Sequence, residues 1–395
     1  MSRRMPRDAI VVGGGVVGAA CALALADAGL QVALVEAGQP ARWSREQPDL
    51  RVFAFAPDNA ALLDSLGVWK DILAMRAQPY REMRVWDAAG GGELHFDADA
   101  LARRELGWII EHDLLAERLR TAASRMGVEY LQPASVNGLE QRDDGVRLTL
   151  ESGETLEARI AIAADGANST LRGLAGITAP MHDYGQRGVV AYVETELPHR
   201  LTAWQRFLPG GPLAFLPVDA GHRSSIVWSL PQDEAERVLA LDDAAFGIEL
   251  TNAFGAKLGN VRPLSRRVGF PLRRRLASTQ AEKRVLVLGD AAHAVHPLAG
   301  QGVNLGLRDV AALRDSVREA KRLGRAFDAP HRLQRWARAR RSDNVASAFA
   351  FEAINRVYSN DAVPVTMLRG HALGAANAFT PLRNALWRHA AGVRS

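Results

Sequence analysis

The stretch Ala9-Ile-Val-Val-Gly-Gly-Gly-Val-Val-Gly18 decides the fold of this 395-residue chain. Its four leading residues predict a short buried strand, and the apolar run from Val16 to Ala28 predicts a helix. The segment Gln31-Val-Ala-Leu-Val-Glu36 predicts a second strand that ends in an acid. A strand, a glycine turn, a helix and a second strand in this order are typical of a dinucleotide-binding unit.

The residues of this first motif have distinct predicted roles. Gly13 makes the tight turn, Gly15 lets the backbone approach a pyrophosphate, and Gly18 lets the helix pack closely on the strand. Glu36, eighteen positions after Gly18, is placed to accept hydrogen bonds from the ribose hydroxyls of adenosine. Val17, in the same turn, completes this half of the predicted cofactor site.

A second run, Val285–Asn304, predicts the other half of the site. A hydrophobic strand there ends in Gly-Asp, so Asp290 lies at the strand's carboxyl edge, where ribityl hydroxyls can donate to it. The glycines after Pro297 expose backbone N–H groups where a helix starts, and this favours negative charge such as that of a reduced flavin. The predicted flavin-facing residues are Pro297, Gly300, Gln301, Gly302, Val303 and Asn304.

Two competing interpretations of these motifs are weaker. Three arginines precede the uncharged stretch from Ala9 to Ala26, as in an export signal, but cleavage would remove the motif that Glu36 completes. His293 and His296 have a spacing that suits a metal on a helix, yet Pro297 places them on a turn. We therefore expect a protein kept in the cytoplasm, with no metal site.

Composition is consistent with a globular enzyme of two structural units. The chain is 48% hydrophobic and 24% charged, which is enough to bury a large core. Its one cysteine, Cys21, excludes an internal disulfide framework and a thiolate zinc site, and it suits a reducing compartment. The net charge of +5 comes without any nucleic-acid-binding module, so no nucleic acid partner is expected.

A third segment, Glu157–Arg172, is an apolar strand followed by Asp165-Gly-Ala-Asn-Ser, and Asp165 joins the predicted cofactor site. Together the three motifs closely resemble those of the single-component FAD-dependent aromatic hydroxylases. Further segments resemble the ubiquinone-biosynthesis branch, and within it most closely the enzymes that hydroxylate 2-polyprenylphenols. These segments are Pro48–Val52, Leu66–Ile72, Met83–Asp87, Leu213–Pro217 and Ser225–Leu230.

The predicted fold class is α/β: a Rossmann-like FAD-binding domain of the glutathione-reductase type, an inserted antiparallel-sheet substrate domain and a helical C-terminal tail. Gly185 to Leu230 alternates apolar and polar residues, as antiparallel strands do. The FAD-binding domain is predicted at 1–75, 100–180 and 275–330, the substrate domain at 76–99 and 181–274, and the C-terminal helices at 331–395.

The resemblance implies a monooxygenase that binds FAD and uses NAD(P)H as a transient co-substrate. A flavin C4a-hydroperoxide formed with O2 would hydroxylate the ring of a polyprenylphenol, at carbon 5. Alternatives are carbon 6 or 1 of the same ring, a soluble aromatic acid anchored by Arg206 or Arg223, and a non-catalytic flavin-binding scaffold. No catalytic base is assigned, since the phenol oxygen itself supplies electron density to the ring.

Two further cofactor ligands are implied by the resemblance. Arg51 matches an arginine near the FAD pyrophosphate and the flavin's approach path, and His112 opens a helix that borders the cofactor. A histidine at a helix start is also a common cap or surface residue.

Two groups of side chains allow either a functional or a structural interpretation. Five arginines on a probable helix would contact anionic lipid or pair with acids elsewhere, and sister biosynthetic proteins are the other expected partners. Five apolar residues of the substrate sheet would line a pocket or form core. The arginines are Arg332, Arg335, Arg338, Arg340 and Arg341, and the apolar residues are Trp204, Phe207, Phe215, Leu216 and Trp228.

Overall fold

The computed structural model describes residues 7–39, 42–88, 92–294, 301–358, 387 and 391–392. Within these residues, a helix begins directly after Gly15 of the N-terminal glycine motif, and helices form most of the described chain after residue 300. The helices are α1 (Val16–Asp27), α2 (Pro57–Ser65), α3 (Trp69–Arg76), α4 (His112–Arg125), α5 (Thr170–Leu174), α6 (Gln232–Ala240), α7 (Asp243–Phe254), α8 (Gln301–Arg322) and α9 (Pro330–Tyr358).

The strands form four sheets. In chain order they are β1 (Ala9–Val12), β2 (Val32–Val35), β3 (Val52–Phe55), β4 (Ala77–Tyr80), β5 (Glu82–Asp87), β6 (Glu93–Asp97), β7 (Gly107–Glu111), β8 (Glu129–Leu131), β9 (Val136–Gln141), β10 (Val146–Leu150), β11 (Thr155–Ala158), β12 (Ile160–Ala163), β13 (Met181–Thr195), β14 (Thr202–Leu208), β15 (Gly211–Pro217), β16 (Arg223–Pro231), β17 (Val261–Pro263), β18 (Val268–Leu276), β19 (Ala281–Glu282), β20 (Val285–Val287) and β21 (His293–Ala294).

A six-stranded sheet in the order β19-β20-β12-β1-β2-β8 holds the three predicted motifs together. Its strands are parallel except for the short β19. Every residue of β1, β2, β12 and β20 is buried, as expected of strands covered on both faces. Helices α1, α4 and α8 cover one face, and the β9–β11 sheet with α5 covers the other. The predicted α/β class is confirmed.

A larger sheet runs β21-β18-β13-β16-β15-β14-β5-β6, with β17 paired to β13. One face of this sheet packs beneath α6 and α7, which the sequence analysis did not predict. The opposite face meets the FAD-side half of the chain through β3 and β7. Strand β4, which the predicted boundary at residue 76 assigns to the substrate domain, instead pairs with β7 in the small β3-β7-β4 sheet.

The pocket interpretation of the five apolar residues is wrong for four of them. Trp204, Phe215 and Trp228 pack against α6 and α7, and Phe207 joins a cluster that contains Trp387. Leu216 lies on the opposite face of the sheet and borders the large cavity described below.

The arginines of α9 divide between the interior and the surface. Arg332 and Arg340 are buried, and Arg332 Nη1 lies 3.0 Å from Glu319 Oε2. The lipid-contact interpretation is therefore wrong for these two residues. Arg335, Arg338 and Arg341 are exposed. No described helix is long and apolar enough to cross a membrane.

A fully buried carboxylate, Asp309 of α8, connects α9 to the Gly-Asp motif. Its Oδ1 accepts hydrogen bonds from Arg340 Nε at 2.8 Å and from Asn344 Nδ2 at 3.0 Å. Its Oδ2 lies 2.6 Å from His293 Nε2 and 3.3 Å from the backbone N of Gly289. Burial alone would raise the pKa of Asp309, but these partners hold it below its usual value.

Replacing Arg340 should destabilise the fold. Arg340→Met leaves the buried Asp309 carboxylate without its guanidinium partner, and the expected loss in free energy of unfolding is about 3–5 kcal/mol. Arg338→Met, on the exposed side of the same helix, should change it by less than about 0.5 kcal/mol. Urea unfolding of both variants measures the difference. Equal effects would show that the buried ion pair does not hold α9 in place.

Candidate functional site

The predicted site residues converge on a cavity of about 1230 Å³, called here the large cavity. It begins at the β1–α1 turn and the end of β2, and it extends to the face of the larger sheet that does not carry α6 and α7. The predicted residues that line it are Gly13, Gly15, Val17, Glu36, Arg51, His112, Asp165, Asp290, Gly302 and Val303.

The three glycines of the first motif differ in what surrounds them. Gly13 has a φ of +106°, and a Cβ there would lie 2.3 Å from the carbonyl oxygen of Ala164. A Cβ on Gly18 would lie 1.8 Å from the carbonyl oxygen of Gly13, so α1 and the end of β1 touch without side chains. A Cβ on Gly15 would meet no atom within 4 Å. Gly15 is therefore the position at which the open cavity reaches the backbone.

Glu36 stands at the end of β2 with its carboxylate fixed by the backbone. Its Oε2 accepts a hydrogen bond from Gly14 N at 2.5 Å, and its Oε1 accepts one from Gly38 N at 2.8 Å. A carboxylate offers about four lone-pair sites. The remaining sites are available to two adjacent hydroxyls in the cavity, as in a ribose.

Asp290 and Arg51 face each other in the middle of the cavity. Asp290 follows β20 on a single 3-10 turn, and its side chain is 42% exposed although the neighbouring Gly289 and Ala291 are buried. Arg51 Nη2 lies 3.8 Å from Asp290 Oδ2, and the guanidinium is 5.4 Å from the centroid of the Phe53 ring. The Arg51 guanidinium and the Asp290 carboxylate are therefore both accessible to a ligand in the cavity.

His112 is the first residue of α4, beside the same cavity. Burial and the Arg51 charge lower its pKa, against the opposing effect of Asp113, whose Oδ1 is 2.9 Å from His112 Nδ1. Asp49 completes a group of three possible metal ligands. The Asp49 carboxylate already accepts hydrogen bonds from the backbone N–H groups of Arg51 and Asp113. Its role is therefore to hold the segment before β3 against the start of α4.

Asp165 and Asn304 are bonded mainly to the protein. The Asp165 carboxylate accepts from the Ser169 hydroxyl and from Leu171 N, at the start of α5, while still bordering the cavity. Asn304 is fully buried and is not part of the cavity wall. Its side chain joins α8 to the β3–α2 connection through Ala54 O, Ala56 N and Asn59 Nδ2, at 2.8, 2.9 and 2.9 Å.

The direct-contact prediction for Asn304 thus needs correction. Successive helical residues are rotated by about 100°, so Gly302 and Val303 face the cavity while Asn304 points into the protein. Gln301 begins α8, where the sequence predicts a helix start. Gly18 packs against the backbone of Gly13 and does not line the cavity. Pro297 and Gly300 lie outside the described residues.

Sequence reasoning missed the other wall of the large cavity. It consists mainly of residues from the larger sheet and the segment before β18: Val190, Val227, Arg266, Val268, Phe270, Pro271, Leu272 and Arg273. The alternation of apolar and polar residues in β13 and β16 shows which side chains share a face of the sheet. It does not show which face meets the cavity, so the alternation alone could not have identified these residues.

An extended cavity of this kind, with an open glycine turn, a strand-end acid and a second acid at mid-length, fits FAD. Residues 7–326 match the family model described as FAD binding domain. The chain belongs to this family. Across nearly its whole length it is also similar to hydroxylases of ubiquinone biosynthesis, and it is an FAD-dependent aromatic monooxygenase of that group.

Three curated relatives illustrate the similarity of this monooxygenase. The ubiquinone hydroxylase UbiL of Rhodospirillum rubrum is 39% identical, over 98% of this chain and 90% of its own. The 3-demethoxyubiquinol 3-hydroxylase of Escherichia coli is 35% identical, over 98% and 99%. The mitochondrial ubiquinone biosynthesis monooxygenase COQ6 of Homo sapiens is 33% identical, over 95% and 90%.

Solved structures show the same fold at lower sequence identity. The p-nitrophenol 4-monooxygenase PnpA of Pseudomonas putida has a TM-score of 0.79, with 22% identity and complete coverage of both chains. HpxO of Klebsiella pneumoniae, solved with FAD and uric acid, has a TM-score of 0.76 with 20% identity, covering 97% of this chain and 96% of its own. The monooxygenase therefore shares its fold with both of these proteins.

The two glycines Gly15 and Gly18 should respond differently to alanine. In Gly15→Ala the new methyl group occupies the open cavity, so we expect a stable apoprotein whose FAD affinity falls about tenfold or more. In Gly18→Ala the methyl group overlaps the Gly13 carbonyl, so the apoprotein itself should lose stability. Thermal melting of the apoproteins and FAD titration separate the two effects. A destabilised Gly15→Ala apoprotein with unchanged FAD affinity would contradict the assignment.

Proposed function

We propose that this monooxygenase hydroxylates the ring of a polyprenylphenol at carbon 5, with NAD(P)H as a transient reductant and O2 as the oxygen source. Ring carbons are numbered as in ubiquinone. The observation that carries the proposal is the sheet wall of the large cavity, which is mostly apolar. Val190, Leu216 and Val227 lie on the same face of adjacent strands, and Phe270 and Leu272 extend the wall along β18.

Neither arginine suggested as an anchor for a soluble aromatic acid lies in the large cavity. Arg206 is half-buried on the other side of the sheet, where its Nη1 donates to Ala253 O at 2.8 Å. Arg223 borders a different cavity and is 61% exposed. Three other arginines do reach the large cavity: Arg51 is assigned to the cofactor, and Arg273 pairs with Asp183 at 3.0 Å. Arg266 is the remaining candidate anchor for an acidic substrate.

The overall reaction balances without a further co-reactant. Ring C–H, O2, NAD(P)H and one proton give ring C–OH, water and NAD(P)+. FAD, when bound, accepts a hydride from NAD(P)H and activates O2 for transfer of one oxygen atom to an electron-rich ring. The protein must hold the cofactor and the ring in fixed relative positions and keep bulk water away from the reacting atoms.

Particular residues of this chain fit those tasks. Glu36 and the backbone at Gly15 would hold the adenosine and pyrophosphate, and Asp290 would accept from the ribityl hydroxyls. Gly302 begins the α8 side of the cavity, where backbone N–H groups at a helix N-terminus would stabilise negative charge on a bound flavin. The apolar residues of the larger sheet exclude water on the opposite side. Asn304 acts indirectly, by holding α8 against the β3–α2 connection.

Product analysis tests this function. FAD-loaded protein, NADPH and 2-hexaprenylphenol under labelled oxygen should yield a product with one labelled oxygen atom at ring carbon 5, and the position is read by NMR. 4-Hydroxybenzoate is the matched soluble phenol and should be a poor substrate. A product oxygenated at carbon 6 or 1 would overturn the ring position alone. Preferred turnover of 4-hydroxybenzoate would favour the soluble-acid alternative, and FAD binding without any product would favour the scaffold.

The exposed arginines of α9 support a proposed membrane contact at the cytoplasmic surface, where a polyprenyl substrate would reside. Arg335, Arg338 and Arg341 recur every three residues on the exposed side of the helix, as in surfaces that bind anionic headgroups. An assembly with sister biosynthetic proteins is the alternative means of meeting the lipid.

Liposome flotation tests the membrane contact. The protein should float with phosphatidylglycerol vesicles at low salt and less so as salt rises, since exposed charges are screened. Replacing the three arginines by glutamine should abolish flotation. The control variant carries the same change at Arg104, Arg125 and Arg200, which are exposed elsewhere, and it should still float. Equal flotation of both variants, or none by the unmodified protein, would contradict the contact.

A further inference from the structure

A second cavity, of about 460 Å³ and called here the small cavity, lies beside the large one. Val52 of β3 borders both cavities. The floor of the small cavity is apolar where it adjoins the large one and includes Ile109, Tyr192 and Val218. Ile109 and Tyr192 are 3% and 9% exposed. The small cavity thus has a buried inner end at the boundary with the predicted substrate site.

The two cavities share one face of the larger sheet. Val190 and Tyr192, two residues apart on β13, border the large and the small cavity respectively. At the end of β15, Leu216 borders the large cavity and Val218, two residues later, borders the small one. Residues two apart on a strand point to the same side. A ligand in the large cavity can therefore continue into the small one along the strands.

The register of the strands gives the direction and length of this path. Val190 pairs with Val227 in the large cavity, and Tyr192 and Leu216 both pair with Ser225 in the next row. A further step reaches Val218, whose N–H donates to Arg223 O. Each step of two residues spans about 6.6 Å, so the path from the first row to the third is about 13 Å long.

The polar groups at the inner end already have protein partners. The Tyr192 hydroxyl donates to Asp49 O at 2.7 Å, and the Ser265 hydroxyl donates to Arg266 O while accepting from Tyr192 N. The buried Glu111 carboxylate accepts from three donors, each within 3.0 Å: Trp43 Nε1, Asp49 N and Arg76 Nη1. A polar ligand needs free donors or acceptors in its pocket, whereas these satisfied walls suit an apolar chain.

The outer end opens to solvent between two loops. Arg45, Glu46 and Pro48 are exposed on one side, and Leu264 is 38% exposed on the other. Arg223, 61% exposed, stands at the same rim. An apolar floor with a charged rim lets a long chain enter at one end and leave the protein at the other.

We propose that the small cavity binds the ring-proximal isoprene units of the polyprenyl tail while the ring occupies the large cavity, and that the rest of the tail leaves between Pro48 and Leu264. The proposal rests on the proposed function, because it names the part of that substrate which this surface holds. Val52, Tyr192 and Leu216 mark the passage between ring and tail, and they make this surface a determinant of preference for prenylated over unprenylated phenols.

A variant that fills the small cavity tests the proposal. In Val218→Trp the added indole occupies the floor about two strand steps away from the ring. We expect kcat/KM for 2-hexaprenylphenol to fall about tenfold or more, with kcat/KM for the short analogue 2-methylphenol and the FAD content unchanged. The control is Ile248→Trp, which places the same side chain on α7 at a position 65% exposed, and it should leave both values unchanged.

A photoreactive substrate gives a readout that does not depend on turnover. A 2-hexaprenylphenol with a diazirine on its second isoprene unit should label residues that border the small cavity, and Val218→Trp should abolish this labelling. Labelling confined to other surfaces, or an equal loss of kcat/KM for both phenols in Val218→Trp, would overturn the tail site while leaving the hydroxylase function intact. If the unmodified enzyme oxygenates 2-methylphenol and never a prenylated phenol, the proposed function fails first and the tail site with it.

Discussion

The contact between Gly18 and Gly13 is the constraint on which the rest of the structure depends. A side chain at either glycine would overlap a backbone carbonyl, so α1 lies directly on the end of β1. This approach leaves Gly15 facing empty space and brings Gly14 N within 2.5 Å of the Glu36 carboxylate. The glycine turn, the position of the Glu36 carboxylate and the opening of the large cavity therefore result from one packing requirement.

The second half of the proposed cofactor site depends on a buried charge network. Asp309 binds Gly289 N and His293, on either side of Asp290, and it binds Arg340 and Asn344 of α9. The exposed carboxylate of Asp290 is thus carried by a turn whose flanks are fixed from inside the protein. Helix α9 stabilises this turn through Arg340 and Asn344, neither of which lines the large cavity.

Local patterns were sufficient to predict the β1–α1–β2 unit and the positions of Glu36, Asp165 and Asp290 at strand ends, because strand, turn and helix signals there lie within a few residues. Asn304 shows the limit of this reasoning. Its closeness in sequence to Gly302 indicated a shared role, but the rotation of the helix directs it to Ala54 and Ala56. The burial of Arg340 depends on a partner 31 residues away, which no local pattern reveals.

The two main sheets contribute different kinds of surface to the large cavity. The parallel sheet contributes backbone and the strand-end acids Glu36 and Asp290, whereas the larger sheet contributes side chains from alternate strand positions. In this chain those positions include Val190, Leu216 and Val218, and their apolar character is what supports the proposed substrate with a long apolar tail.

A crystal structure of the protein with FAD bound is the most direct test of the account. It should show the ribose hydroxyls on the Glu36 carboxylate, the pyrophosphate against Gly15, and the ribityl chain on Asp290, with the flavin ring between Gly302 and the apolar face of the larger sheet. FAD bound elsewhere, or in the large cavity with neither Glu36 nor Asp290 in contact, would contradict the central claim that these two strand-end acids hold the cofactor.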